Sequence, residues 1–155
     1  MEDKYKAAGV KRYEELEHPS DVGLRFRGRS LEELFQNAGE GMFSLITDME
    51  SVEPIISLEL GLEGESSSYE DILIAWLERL LYHFEVDFML FSQVLVKELI
   101  RSKNGYSLKA VLYGERIDRK KHSIMEEIKA PTYQFLSICR DKERRIWEGT
   151  VIFDV

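Results

Sequence analysis

The sequence GLRFRGRSLEELFQNAGEGMFSLIT, residues 23–47, joins the pattern of a strand directly to the pattern of a helix. In its first part Leu24 and Phe26 alternate with arginines, which is typical of a strand with one buried face. Ser30 and Glu33 then have the spacing of a capping box, in which the serine hydroxyl accepts a hydrogen bond from the glutamate amide. Apolar residues at helical spacing predict a helix over the remainder; they are Leu31, Leu34, Phe35, Ala38, Met42, Leu45 and Ile46.

Outside this stretch, the hydrophobic pattern predicts one more helix and several more strands. The second helix begins at a Ser68 cap and carries a wide apolar stripe as far as Phe84. Asn104-Gly105 is a strong hairpin signal between two strands. The predicted strands cover residues 11–16, 23–29, 56–63, 93–101, 106–113 and 145–154, with a further strand in two pieces, 124–129 and 132–140, on either side of Pro131. Two helices among mostly antiparallel strands give an α+β fold.

Length and composition indicate one domain and exclude several classes of protein. The 155 residues are enough for one core, so residues 1–155 are expected to form a single domain. A lone cysteine, Cys139, rules out an internal disulfide framework and an all-cysteine zinc site. No apolar run approaches the roughly 18 residues of a membrane span, and the N-terminus has no signal-peptide core. We therefore expect a soluble, cytoplasmic protein without a membrane partner.

The charge of the chain is negative and unevenly distributed. A formal net charge of −8 argues against a protein that is wrapped by nucleic acid, because that function needs a basic surface. Between Ser30 and Glu78 there are twelve acidic residues and no lysine or arginine. This acidic flank is either a solvated helix face or a surface that meets a basic protein partner. Direct, specific binding of nucleic acid is not predicted.

Three polar clusters lie where chemistry is possible, although the chain has no phosphate-binding glycine loop and no common zinc or serine-hydrolase motif. The first, Glu17–Gly23, separates two predicted strands, and its Asp21 is either a turn residue or a ligand. The second, residues 114–130, is mostly typical of a surface loop, but its Lys129 lies inside a strand pattern. The third is the end of the sequence, where Asp154 and the terminus supply two carboxylates. Together with one more carboxylate, these would suit Ca²⁺ or Mg²⁺. A frayed tail is the alternative.

Taken together, the clusters resemble the archease family over essentially the whole chain. The order and spacing of the matching segments agree with the family; they are Glu17-His18-Pro19-Ser20-Asp21-Val22-Gly23, the helix 31–38, Gly114-Glu115-Arg116-Ile117-Asp118, Lys121-His122, Glu127-Ile128-Lys129-Ala130-Pro131-Thr132-Tyr133, Trp147 and Ile152-Phe153-Asp154-Val155. The chain departs from the family pattern at two places. It has Pro19-Ser20 where the family usually has Thr-Ala, and Gln134 where the family usually has His.

The resemblance implies a fold and a function. Archeases are non-enzymatic activators of the RtcB-type RNA ligase, which joins tRNA halves and repairs broken RNA with GTP and Mn²⁺. They speed the guanylylation of the ligase and allow its repeated turnover. Their fold is a compact α+β sandwich that resembles part of the redox chaperone Hsp33, and a chaperone role has been suggested for them. We therefore expect a protein that is not an enzyme and whose partner is an RtcB-type ligase.

The resemblance also implies a divalent cation, often calcium, and a set of functional residues. The cation ligands would be Asp21, Asp154 and Val155, the last through its main-chain or terminal carboxylate oxygens. Lys129 matches a functional lysine of the family. His18 and His122 complete the expected functional, partner-facing set, and no catalytic residue is expected.

Two other functions are compatible with the sequence. One is a general chaperone or protein-interaction module of archease-like fold that needs neither a ligase nor a metal. The other is a metal-dependent hydrolase that uses the same carboxylates, with His18 or His122 as the general base. The lack of any nucleophile motif disfavours the hydrolase.

Overall fold

The structure is a computed structural model that describes residues 10–17, 21–64 and 67–155. Its strands are β1 (Tyr13–Glu17), β2 (Val22–Gly28), β3 (Ile56–Glu63), β4 (Met89–Ser102), β5 (Gly105–Arg116), β6 (Ala130–Asp141) and β7 (Ile146–Asp154). Its helices are α1 (Leu31–Ile46), α2 (Tyr69–Glu85) and a short 3-10 helix (Met49–Ser51).

The strands form two antiparallel sheets, which confirms the predicted α+β sandwich. One sheet has the strand order β1-β2-β7-β6 and the other has the order β3-β5-β4. Every strand pair among the described residues is antiparallel. In the first sheet β2 and β7 are central, and Val22 lies opposite Phe153. The start of β2 and the end of β7 therefore meet at one end of the sheet. This edge is formed by strand ends and not by an edge strand.

Both helices contact both sheets and complete the core. α1 packs against β2 and β4, whereas α2 packs against β6 and β4. The predicted cap of α1 is confirmed, since Ser30 Oγ accepts a hydrogen bond from the Glu33 amide at 3.1 Å. Trp76 in α2 is fully buried, and its indole N–H donates to the Phe35 carbonyl at 2.9 Å. Among the described residues, the helices are too short or too polar to cross a lipid bilayer.

Side chains of α1 cover the edge of the three-stranded sheet. β4 is an edge strand, and its register with β5 is interrupted twice. Gln36 accepts a hydrogen bond from the Val96 N–H, and Glu40 accepts one from the Val94 N–H, both at 3.0 Å. Burial raises the pKa of the Glu40 carboxyl, against the lowering effect of the Val94 N–H and of Arg12. These contacts occupy backbone donors that an edge strand otherwise leaves open.

Strands β4 and β5 extend at least three residues beyond a predicted end. β4 begins at Met89 rather than at Gln93, and β5 runs to Arg116 rather than to Tyr113. The signal for the start of β4 was missed because Met89–Phe91 are buried in succession, next to a register shift. Strict alternation of buried and exposed residues, the basis of the prediction, does not hold there.

The predicted strand piece 124–129 is wrong, because this segment forms no strand: it bonds to the end of α1, and its last residue, Lys129, bonds to Asp154 at the end of β7. Thr47 Oγ1 donates to the Ser123 carbonyl at 2.7 Å, and the Met125 N–H donates to the last residue of α1, also at 2.7 Å. The second predicted piece is β6, which includes Pro131. An edge strand tolerates proline because the missing N–H is not needed by a neighbour on that side.

Candidate functional site

The end of β7 brings several predicted site residues together. Val22 and Phe153 are strand partners. Asp21 immediately precedes Val22, and Asp154 immediately follows Phe153. The register therefore brings Asp21 and Asp154 to the same end of two neighbouring strands, which lie about 4.8 Å apart. The Lys129 N–H donates to the Asp154 carbonyl at 2.8 Å, which adds Lys129 to the same edge of the sheet.

This edge offers oxygen donors and is open to solvent. Asp154, Val155 and Lys129 are exposed, and Asp21 is half-buried. The two carboxylates and the main-chain oxygens of Val155 are the kind of donor that Ca²⁺ and Mg²⁺ prefer. Neighbouring carboxylates repel one another unless a positive charge offsets theirs. The donor set therefore fits the predicted calcium ion, and its binding stays a prediction.

The two aspartates alone are a small donor set. Within the three described segments of the chain, no group of three or more His, Cys, Asp or Glu side chains comes together as a metal site. A cation at this edge would therefore depend on main-chain oxygens, those of Val155 first, as well as on the carboxylates of Asp21 and Asp154. Calcium accepts such mixed sets, because it binds backbone carbonyl oxygens and water readily.

His122 is the buried member of a polar cluster at the end of β5. Its side chain is completely buried, and Nδ1 accepts a hydrogen bond from the Asp118 N–H at 2.9 Å. The proton is therefore on Nε2, which lies 3.1 Å from the Ser51 carbonyl oxygen and 3.1 Å from the Glu115 carboxylate. Both ring nitrogens are engaged within the chain, so any influence of His122 on a partner acts through its neighbours.

Glu115 connects the segment before Lys129 to the rest of the fold. Its carboxylate lies 2.8 Å from Lys121 Nζ and accepts a hydrogen bond from the Glu53 N–H at 2.7 Å, in addition to the bond from His122. Partial burial acts to raise the pKa of the Glu115 carboxyl, but the bonds from Lys121 and the other two donors outweigh it. They lower the pKa from 4.5 to about 2. Residues 114–122 contain segments that match the family pattern in the sequence. The contacts of Glu115 give a physical reason why these residues occur together.

The low pKa of Glu115 predicts a contribution to stability that acid removes. Because the folded-state pKa lies below the unfolded one, this contribution is complete above about pH 5 and is lost as the pH falls towards 2. We expect the free energy of unfolding to fall more steeply over this range for the wild-type protein than for Glu115→Gln, which cannot titrate. Urea denaturation at a series of pH values measures both slopes.

The control for this experiment is Glu143→Gln, in the exposed turn between β6 and β7. This substitution removes one carboxylate that does not contact Glu115, Lys121 or His122. We therefore expect the free energy of unfolding to depend on pH as it does in the wild-type protein. If the free energy of unfolding of Glu115→Gln falls with pH as steeply as that of the wild-type protein, the neighbours of Glu115 do not stabilise its ionised form.

The remaining residues of interest lie on β6 or outside the described residues. His18 falls within residues 18–20, which the structure does not describe. Gln134 is exposed on β6. Its neighbour Tyr133 donates a hydrogen bond from its hydroxyl to Asp71 Oδ1 at 2.8 Å. Sequence reasoning missed this contact, because 62 residues separate its partners and no spacing signals it.

Comparisons with known proteins agree with one another. A family model described as the Archease protein family matches residues 13–155. Protein archease of Methanosarcina mazei is 37% identical over 145 residues, which cover 94% of this chain and 97% of that protein. Protein archease of Pyrococcus abyssi is 36% identical over 146 residues, 94% of this chain and 100% of that protein. The solution structure of Methanobacterium thermoautotrophicum protein 1598 matches with a TM-score of 0.76 and 26% identity, over 93% of this chain and 99% of that one.

Proposed function

Because the chain belongs to the Archease protein family, we propose that it is a non-catalytic protein cofactor that activates an RtcB-type RNA ligase. It binds the ligase in the cytoplasm and promotes the reaction of the ligase with GTP. It thereby allows one ligase molecule to act repeatedly in tRNA splicing or RNA repair. A divalent cation, calcium, binds at the end of β7 and offsets the negative charge of the carboxylates there.

Family membership carries this proposal, and the register between β2 and β7 supports its cation site. The register brings Asp21 and Asp154 to the same end of these two strands, and the Lys129 N–H donates to the Asp154 carbonyl at 2.8 Å. A cation bound by these oxygens and by Val155 would also fix the last residues of β7. The edge is exposed, so a partner protein can reach it without any change in the fold.

The surroundings of His122 argue against one of the two candidate general bases of a hydrolase, the other being His18. A metal-dependent hydrolase needs a general base that can accept a proton from a water molecule beside the cation. The Nδ1 lone pair of His122 is occupied by the Asp118 N–H, and Nε2 carries the proton. This ring is therefore not available as a base in the folded protein.

A multiple-turnover ligation assay tests the proposal. A purified RtcB-type ligase is mixed with GTP, Mn²⁺ and an excess of RNA halves, with and without this protein. We expect repeated rounds of ligation with the protein and a single round without it, and equal product in both reactions would contradict the proposal. Suppression of the aggregation of unrelated proteins, unchanged by Asp21→Ala, would support the chaperone function instead.

A further inference from the structure

Strand β6 contains an irregularity that exposes two aromatic residues. β6 is an edge strand, and its pairing with β7 is interrupted between Thr132 and Ser137. Within this interval, which we call the aromatic bulge (residues 133–136), Tyr133 and Phe135 are 60% and 70% exposed. Large aromatic side chains dominate cores and interfaces because of the apolar area they bury. Two of them exposed in one bulge therefore indicate a contact surface.

The backbone holds Phe135 in its exposed position. Its φ of 55° lies in the left-handed region, which residues with a Cβ rarely adopt. Thr150 Oγ1 on β7 donates to the Phe135 carbonyl at 3.0 Å, and Ser137 Oγ lies 3.0 Å from the same Thr150 oxygen. The surrounding hydrogen bonds thus maintain an unfavourable backbone conformation at a residue outside the core.

The aromatic bulge lies beside negative charge. The Tyr133 hydroxyl donates to Asp71 Oδ1, in the first turn of α2, at 2.8 Å. This hydrogen bond, together with burial, raises the pKa of the Tyr133 hydroxyl, and the charge of Glu78 adds to the effect. Glu78 lies about two helical turns after Asp71, so both carboxylates are on the same face of α2. The bulge and the two acids together form one aromatic and acidic surface.

We propose that the aromatic bulge, with Asp71 and Glu78, docks an arginine-rich or lysine-rich segment of the protein partner. This inference rests on the proposed function, because an enzyme that joins RNA presents basic side chains to the phosphates of its substrate. A guanidinium group stacks on aromatic ring faces and forms charge-assisted hydrogen bonds with carboxylates. A second copy of this chain is a poorer occupant, since two chains of net charge −8 repel one another.

The first test uses a nine-residue arginine peptide as the probe. Phe135→Asn removes the ring, leaves the charge unchanged and suits the left-handed backbone, which asparagine tolerates. The matched control is Phe88→Asn, because Phe88 is also exposed (61%) with a φ of 55°, but lies just before β4 in the other sheet. We expect Phe135→Asn to bind the peptide about two- to fivefold more weakly than the wild-type protein. Phe88→Asn should bind as the wild-type protein does, and circular dichroism confirms that both variants are folded.

The second test measures the affinity of the same three proteins for the RtcB-type ligase at low and high salt. We expect the same order of affinities, with binding that weakens as salt increases. Equal affinities of all three proteins for both the peptide and the ligase overturn the docking surface and leave the proposed function intact. If the wild-type protein does not bind the ligase but the peptide difference persists, the proposed function alone fails. Self-association that Phe135→Asn abolishes would assign the bulge to a second copy and overturn the inference.

Discussion

Gly114→Ala is expected to unfold the protein, or to lower its free energy of unfolding by more than about 3 kcal/mol. Gly114 lies in the central strand β5, opposite Ile56 on one side and Phe91 on the other. A Cβ at this position would lie 1.8 Å from the Leu90 carbonyl oxygen and 2.8 Å from the Phe91 Cα. These are backbone atoms that no side-chain rotation moves, so β4 and β5 would have to separate.

Gly61→Ala is the matched control in the same sheet. A Cβ at Gly61 would have no atom within 4 Å, and glycine inside a strand is less favourable than alanine by roughly 0.5–1 kcal/mol. We therefore expect unchanged or slightly higher stability for this variant. Urea denaturation followed by circular dichroism measures both proteins. Wild-type stability of Gly114→Ala would contradict the close approach of β4 to β5.

Asp154→Asn is expected to weaken calcium binding at least about tenfold and to abolish activation of the ligase. The substitution removes one of the two side-chain carboxylates that the register brings to the same end of β2 and β7, the other being Asp21. The main-chain carbonyl of residue 154 can still accept the Lys129 N–H, so the end of β7 is expected to stay in place. Calorimetric titration with calcium chloride measures the affinity. Thermal unfolding with and without calcium gives a second measure, because a ligand that binds only the folded state raises the midpoint.

Glu143→Gln controls for the loss of one negative charge. Glu143 is exposed in the turn between β6 and β7, at the opposite end of β7 from Asp154. We expect this variant to bind calcium as the wild-type protein does. Equal calcium affinity of the wild-type protein and Asp154→Asn would contradict the placement of the cation at the end of β7.

The local elements could be predicted from the sequence because their signals are local. The Ser30 hydroxyl caps α1 as the capping box requires. The hairpin at Asn104-Gly105 is present, with Ser102 opposite Gly105. Such signals depend on neighbouring residues and survive in the folded chain. The segment 124–129 differs because its backbone bonds to α1, which is distant in sequence.

The candidate site depends on contacts between distant residues, which a single sequence does not reveal. Asp21 and Asp154 could be named together only through the resemblance to a family, and the strand register then brought them to the same end of β2 and β7. The hydrogen bonds from Tyr133 to Asp71 and from the Glu53 amide to Glu115 each join residues 62 positions apart. No periodic pattern encodes either of them. The aromatic bulge also escaped prediction, because it interrupts the strand alternation on which the prediction relied.

The rate of guanylylation of the ligase isolates activation from the later steps of RNA joining. The measurement follows the transfer of label from GTP to an RtcB-type ligase, alone and with each purified protein. We expect the wild-type protein and Glu143→Gln to accelerate the transfer, and Asp154→Asn to leave it at the rate of the ligase alone. Acceleration by Asp154→Asn equal to that by the wild-type protein would contradict a role in activation for the edge that Asp21 and Asp154 share.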